Sequence, residues 1–228
     1  TKTYASDDEV CILNSGDTTS GPISAITDLE FSNDGLMLFV SRGNAKGTAN
    51  DDRVFRFDLT SPYDVSTCAF ANQTSDLDTG TLQDGSNAGD FIEKDPSGRN
   101  KNRPQGFEIN EDGTKLFLVY HGANSEKPRL LEYQLSTPYD LATISLVTTA
   151  GIALDGQGVS NPNSMRFSAN GKRIFVVSHT NGSQAVTQIS LNVAYDTSSF
   201  TIDGSVSLIP FLRASGTDEP RGIAFSSS

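Results

Sequence analysis

Leu29-Glu-Phe-Ser-Asn-Asp-Gly35, Phe107-Glu-Ile-Asn-Glu-Asp-Gly113 and Met165-Arg-Phe-Ser-Ala-Asn-Gly171 are three copies of one phrase. Each alternates apolar and polar residues and closes on Asp-Gly or Asn-Gly. Each then runs into a β-rich stretch: Leu38-Phe39-Val40, Leu116-Phe117-Leu118 or Ile174-Phe175-Val176. Alternation, a Gly turn and a second β-rich run predict a hairpin. A third strand follows each copy, at Arg53–Leu59, Arg129–Leu135 and Val186–Leu191. A shared turn comes next: Ser61-Pro-Tyr-Asp64, Thr137-Pro-Tyr-Asp140 and the looser Val193-Ala-Tyr-Asp196. A fourth β-like stretch, such as Thr143–Thr149, completes each unit. Self-similarity at this spacing predicts repeated four-stranded antiparallel sheets.

The two ends of the chain read as parts of one more copy. Gly222-Ile-Ala-Phe-Ser226 matches the first strand, Thr1-Lys-Thr-Tyr-Ala5 the second and Glu9-Val-Cys-Ile-Leu13 the third. The expected fold is therefore all-β: a four-bladed β-propeller of four-stranded antiparallel sheets, in a single domain. Its blades are expected at 222–228 with 1–25, then 26–102, 103–160 and 161–221. Strands from both termini would seal the ring in one composite blade and leave no open sheet edge. The stretch from Leu13 to Phe31 is short, so the composite blade is expected to lack much of its outer strand. A piece cut from a longer propeller would show the same ends.

The repeat text resembles YVTN-type and TolB-like β-propellers, with its Phe-Ser-x-x-Gly first strand, Leu-Phe-Val second strand and aromatic third strand ending in Leu. The resemblance covers nearly the whole chain and implies a fold. It implies no reaction, because propellers host lectins, hydrolases, lyases and scaffolds alike.

Composition narrows the function. The 228 residues hold 17 Lys and Arg against 28 Asp and Glu, a net charge of −11. This argues against a nucleic-acid partner, which calls for a positive surface. No apolar run is long enough for a membrane-spanning helix. Thr1 opens the sequence without a charged-then-apolar leader, as expected of a mature or trimmed product. The acidic, Ser/Thr/Asn/Gly-rich composition points to an extracellular, periplasmic or surface-associated location. Two cysteines, Cys11 and Cys68, permit one disulfide without implying it.

A site is expected where first strands begin and second strands end, because the innermost strands encircle the channel mouth. The aligned opening positions are Thr27, Gln105, Asn163 and Arg221, followed by Asp28, Gly106, Ser164 and Gly222. His121, beside Tyr120, and His179 occupy one repeat position at the ends of second strands; in the first copy that position is Gly43, next to Arg42. Neutral imidazoles on adjacent blades are potential transition-metal ligands, although no cysteine or tight carboxylate spacing completes a set. The candidate ligand-binding residues are Asp28, Arg42, Gln105, Tyr120, His121, Asn163, His179 and Arg221, with Tyr120 as the stacking ring. A carboxylate pair of Asp28 with Asp7 or Asp8 is a further possibility. The insertion from Asn72 to Arg103 holds Asp76, Asp78 and Asp84 in an oxygen-rich loop of the kind that suits Ca²⁺.

No nucleophile elbow, zinc-protease helix or phosphate-cradling loop is present. The first expectation is thus a non-catalytic module that binds a carbohydrate or another extracellular ligand at the loop-rich face. The second is a structural or protein-interaction domain of a larger surface or virion assembly. A metal-assisted hydrolase or lyase at the channel mouth is the third. The Pro-Tyr-Asp turns are expected to be structural.

Overall fold

Alternating hydrophobicity and Gly turns build three antiparallel sheets in chain order. The computed structural model describes residues 26–43, 52–75, 77, 103–121, 128–147, 151–154, 157–179, 184–211 and 220–225, and every structural statement below concerns these. The first sheet is β1 (Ile26–Phe31), β2 (Met37–Arg42), β3 (Arg53–Asp58) and β4 (Ala69–Gln73). The second is β5 (Arg103–Ile109), β6 (Lys115–His121), β7 (Arg129–Leu135) and β8 (Ile144–Leu146), with β9 (Ile152–Ala153) also on β7. The third is β10 (Pro162–Phe167), β11 (Arg173–Ser178), β12 (Ala185–Leu191) and β13 (Phe200–Ser207). Apart from β9, each strand pairs with its sequence neighbour in the same sheet, in an up-and-down meander.

Two expectations are altered. The fourth strand of the second unit is split into β8 and β9, both on β7. Residues 220–225, expected as a first strand, form no ladder with the described residues.

The sheets stack face to face. Phe39 and Val54 of the first sheet share a core with Phe107, Ile109, Leu116 and Leu118 of the second. On the other side of the second sheet, Phe117 and Leu130 share a core with Met165, Phe167, Ile174 and Val176 of the third. Period-two alternation explains this: odd and even positions of each second strand serve opposite neighbours.

The Pro-Tyr-Asp turns lock the far end of each sheet. Tyr63, Tyr139 and Tyr195 adopt φ of 57°, 60° and 55°, a region that L-residues rarely occupy. Each tyrosine N–H donates to the carbonyl of the hairpin glycine, from Tyr63 to Gly35, Tyr139 to Gly113 and Tyr195 to Gly171, at 2.8–2.9 Å. The ring lies flat against that glycine, leaving no room for a Cβ. The Tyr63 hydroxyl donates to the Asn33 carbonyl at 3.0 Å, and that of Tyr139 to the Glu111 carbonyl. Asp64, Asp140 and Asp196 accept the backbone N–H two residues on, as Asx turns do.

Candidate functional site

Three bulges define the opposite end. In the β1–β2, β5–β6 and β10–β11 ladders the register slips at the same repeat position, leaving Thr27, Gln105 and Asn163 unpaired. A β-bulge bends its strand and re-aims the extra side chain. Inner strands thus present one polar side chain each at the mouth. Thr27 hydrogen-bonds the Ser41 hydroxyl at 2.8 Å. Asn163 is 6% exposed, and its Nδ2 donates to the Pro220 carbonyl at 2.9 Å and lies 3.5 Å from His179 Nδ1. Gln105 is 8% exposed and sits between them in sequence order of the sheets. The alignment pointed to these positions; the bulge itself left no mark in the residue pattern.

His179 donates its backbone N–H to the Asn161 carbonyl at 3.1 Å. Asn161 has φ of 48°, and its buried Oδ1 has no hydrogen-bond partner among the described residues. A strained backbone beside an orphaned acceptor is the kind of feature that binding sites retain. His121 ends β6 opposite Arg103; its side chain lies outside the described residues. Arg42 ends β2 directly opposite Arg53, and Arg221 is exposed beside the mouth.

Two of the expected site residues have other places. Tyr120 is 1% exposed, its hydroxyl 3.1 Å from that of Tyr133 in the core between the first two sheets. It shares the parity of Leu116 and Leu118, so its ring is unavailable for stacking on a ligand. Asp28 is engaged between the first strands of the three sheets. Its Oδ2 accepts the Phe107 N–H at 3.2 Å, and Arg166 Nη1 donates to the same oxygen at 3.2 Å. Asp7 and Asp8, its expected partners, lie outside the described residues, as do Asp76, Asp78 and Asp84 of the insertion. Among the described residues, no three His, Cys, Asp or Glu side chains gather as a metal site would require.

Below the mouth the inner strands carry a carboxylate device absent from the sequence reading. Glu30 of β1 accepts the Ile109 N–H of β5 at 3.0 Å, and Glu108 of β5 accepts the Phe167 N–H of β10 at 2.7 Å. Burial, then the charge of Glu108, pushes the Glu30 carboxyl well above the usual range against the pull of the Ile109 N–H and Arg166. Glu108 is pushed up to about 7, chiefly by burial, although the Phe167 N–H and Arg166 oppose this.

Charge differs between the ends. Asp34, Asp58, Asp64, Glu111, Asp112, Asp140 and Asp196 lie at the tyrosine-turn end together with Arg56, Lys115, Lys172 and Arg173, while Arg42, Arg53, Arg129 and Arg221 lie at the mouth end with Asp52. The net −11 therefore does not make this mouth uniformly acidic among the described residues. Cys68 is disulfide-bonded; Cys11, the other cysteine of the sequence, lies outside the described residues.

No protein-family model matches the chain, and no curated protein does. Solved structures do. A Lactobacillus plantarum protein aligns at 12% identity and a TM-score of 0.46, over 79% of this chain and 41% of its own. A candidate 6-phosphogluconolactonase from Bacteroides fragilis aligns at 14% identity and 0.47, over 82% and 40%. A chain of a nidogen/laminin complex aligns at 12% identity and 0.34, over 79% and 65%. The present chain spans about two-fifths of the length of the first two. With three stacked antiparallel meanders, it has a β-propeller-like all-β fold.

Proposed function

We propose that the sheets belong to a closed four-blade ring whose fourth blade combines residues 222–228 with 1–25. Repeat-matched contacts support this. Phe167 enters the second-to-third seam against Phe117, with centroids 4.6 Å apart and planes at 58°. Phe225 meets Phe175, one repeat later, at 4.9 Å and 63°. This contact supports an inner-strand position for the stretch around Phe225. Arg166 of the third sheet also reaches Asp28 of the first at 3.2 Å. In a four-member ring those sheets face each other across the axis, within the span of an arginine and an aspartate. Larger rings set them further apart.

We read the loop-rich end as the binding face of a non-catalytic module at the cell surface or outside the cell, recognising a carbohydrate or similar polyhydroxyl ligand. The observation that carries this reading is the same bulge in three successive sheets, projecting Thr27, Gln105 and Asn163 at one mouth. Hydroxyl and amide groups there suit donor–acceptor recognition of sugar hydroxyls. The disulfide at Cys68 fits an oxidising compartment. Ca²⁺ at the Asp76, Asp78 and Asp84 loop enters the same test.

A glycan array with and without EDTA tests both parts. Binding is expected to a restricted glycan set and to be lost in Gln105→Ala and Asn163→Ala variants that keep the wild-type melting temperature. Loss on EDTA alone would assign a cation to the site. No binding under either condition overturns the carbohydrate reading. It would leave the protein-interaction reading.

A further inference from the structure

The carboxylate device is not uniform around the ring. Its repeat position holds Glu30, Glu108, Arg166 and, in the C-terminal stretch, Ala224. Glu30 and Glu108 each accept an N–H from the next inner strand. An arginine only donates and an alanine side chain does neither. The cap is thus present at both seams among the three sheets and missing from both seams that a fourth blade would form.

Arg166 is used differently. Its Nη1 donates to the Met165 carbonyl at 2.7 Å, the Phe107 carbonyl at 3.0 Å and Asp28 Oδ2 at 3.2 Å, while Nη2 lies 3.4 Å from Asp28 Oδ1. Asp28 in turn accepts the Phe107 N–H. One hydrogen-bonded knot therefore joins β1, β5 and β10, the three inner strands. Charge-assisted bonds of this kind are stronger than neutral ones.

The face of the third sheet that points away from the second is correspondingly open. Phe39 and Val54, then Phe117 and Leu130, are 0–1% exposed, whereas Phe175 and Val186 at the same repeat positions are only half-buried. A groove of about 360 Å³ runs over Phe175, Val186, Gly204 and Val206. Phe225 already lies on its Phe175 side.

We propose that this face is a docking surface for the chain's own terminal segments, residues 222–228 with 1–25, which seat as a separable fourth blade on a three-sheet body that Arg166 clasps shut. The proposal rests on the four-blade reading and adds to it that the blades do not open together. Sub-global units of this kind open at lower free energy than the whole domain.

Native-state hydrogen exchange on the full chain tests it. Amides in 9–13 and 222–226 are expected to exchange more slowly than in a free peptide, yet at least about tenfold faster than the slowest amides of β6 and β11. Ala224→Glu, which restores an acceptor at the fourth seam, is expected to slow exchange in the terminal segments and leave β6 unchanged. Equal protection of all four units overturns the separable blade and keeps the ring. Free-peptide exchange in the terminal segments overturns both.

Discussion

Glu108 in the second sheet accepts the backbone N–H of Phe167 in the third at 2.7 Å, across 59 residues of chain. The bond satisfies an inner-edge donor that no strand of its own sheet can reach. It also places a carboxyl in a seam faced by Asp28 and Glu30 from β1 and Arg166 from β10.

The pH dependence of stability follows. Glu108 is pushed up to about 7 when folded, from about 4.3 in an unfolded chain. A raised carboxyl favours the folded state below the unfolded value, and that contribution is lost as pH rises through the folded one. Glu30 acts in the same direction. The melting temperature is expected to fall between about pH 4.5 and 7, with roughly 3–4 kcal/mol attributable to Glu108. Glu108→Gln keeps an acceptor for Phe167 and should flatten that slope. Thermal melts from pH 4.5 to 8 check this; an unchanged slope in the variant refutes the assignment.

The tyrosine locks give a coupling prediction. A Cβ on Gly113 would lie 2.4 Å from the Tyr139 ring, at a φ of +70°. Gly113→Ala is expected to cost about 2–4 kcal/mol from left-handed strain and overpacking. Tyr139→Ala alone loses ring packing and the bond to the Glu111 carbonyl. Because removing the ring also removes the clash, the double variant should cost at least about 1 kcal/mol less than the sum of the two. Urea unfolding of all four proteins measures the cycle, and simple additivity would contradict the lock.

Close approach of inner strands makes Gly106 irreplaceable for a different reason. A Cβ there would sit 2.6 Å from Ser164 Cα and 2.9 Å from the Met165 nitrogen, both backbone atoms. Gly106→Ala should force β5 away from β10 and lower stability by about 1–3 kcal/mol. It should also lengthen the neighbouring Arg166–Phe107 bond, visible in a crystal structure of the variant. A variant as stable as wild type would show that the seam yields freely.

The disulfide is checked directly. Cys68 is bonded, and the sequence offers Cys11 as its one possible intrachain partner. Proteolysis without reductant should yield one cross-linked peptide holding both, which separates on reduction. Alkylation of two thiols in the unreduced, unfolded protein would contradict the bond.

Much of the fold was legible because its information is local. The phrase Phe107-Glu-Ile-Asn-Glu-Asp-Gly113 holds alternation, turn and strand in consecutive residues, and the β5–β6 pair follows from it. The aligned positions Thr27, Gln105 and Asn163 were likewise visible as a polar ring. Tyr120 does not take the stacking role expected of it, because strand parity assigns it with Leu118 to the core. The split of β8 from β9 left no signal in the composition of 143–153.

By itself, the sequence determined the repeated unit: four strands, a Gly hairpin and a Pro-Tyr-Asp turn, each specified by neighbours a few residues apart. The tertiary structure decided what the polar side chains do between the units. Whether Asp28 serves a ligand or Arg166, and whether Glu30 and Glu108 are solvated or cap another sheet, depends on strands 59 to 138 residues apart meeting edge to edge. Side-chain type cannot encode such appositions alone, because burial and partner are set by where stacked sheets bring their inner strands together.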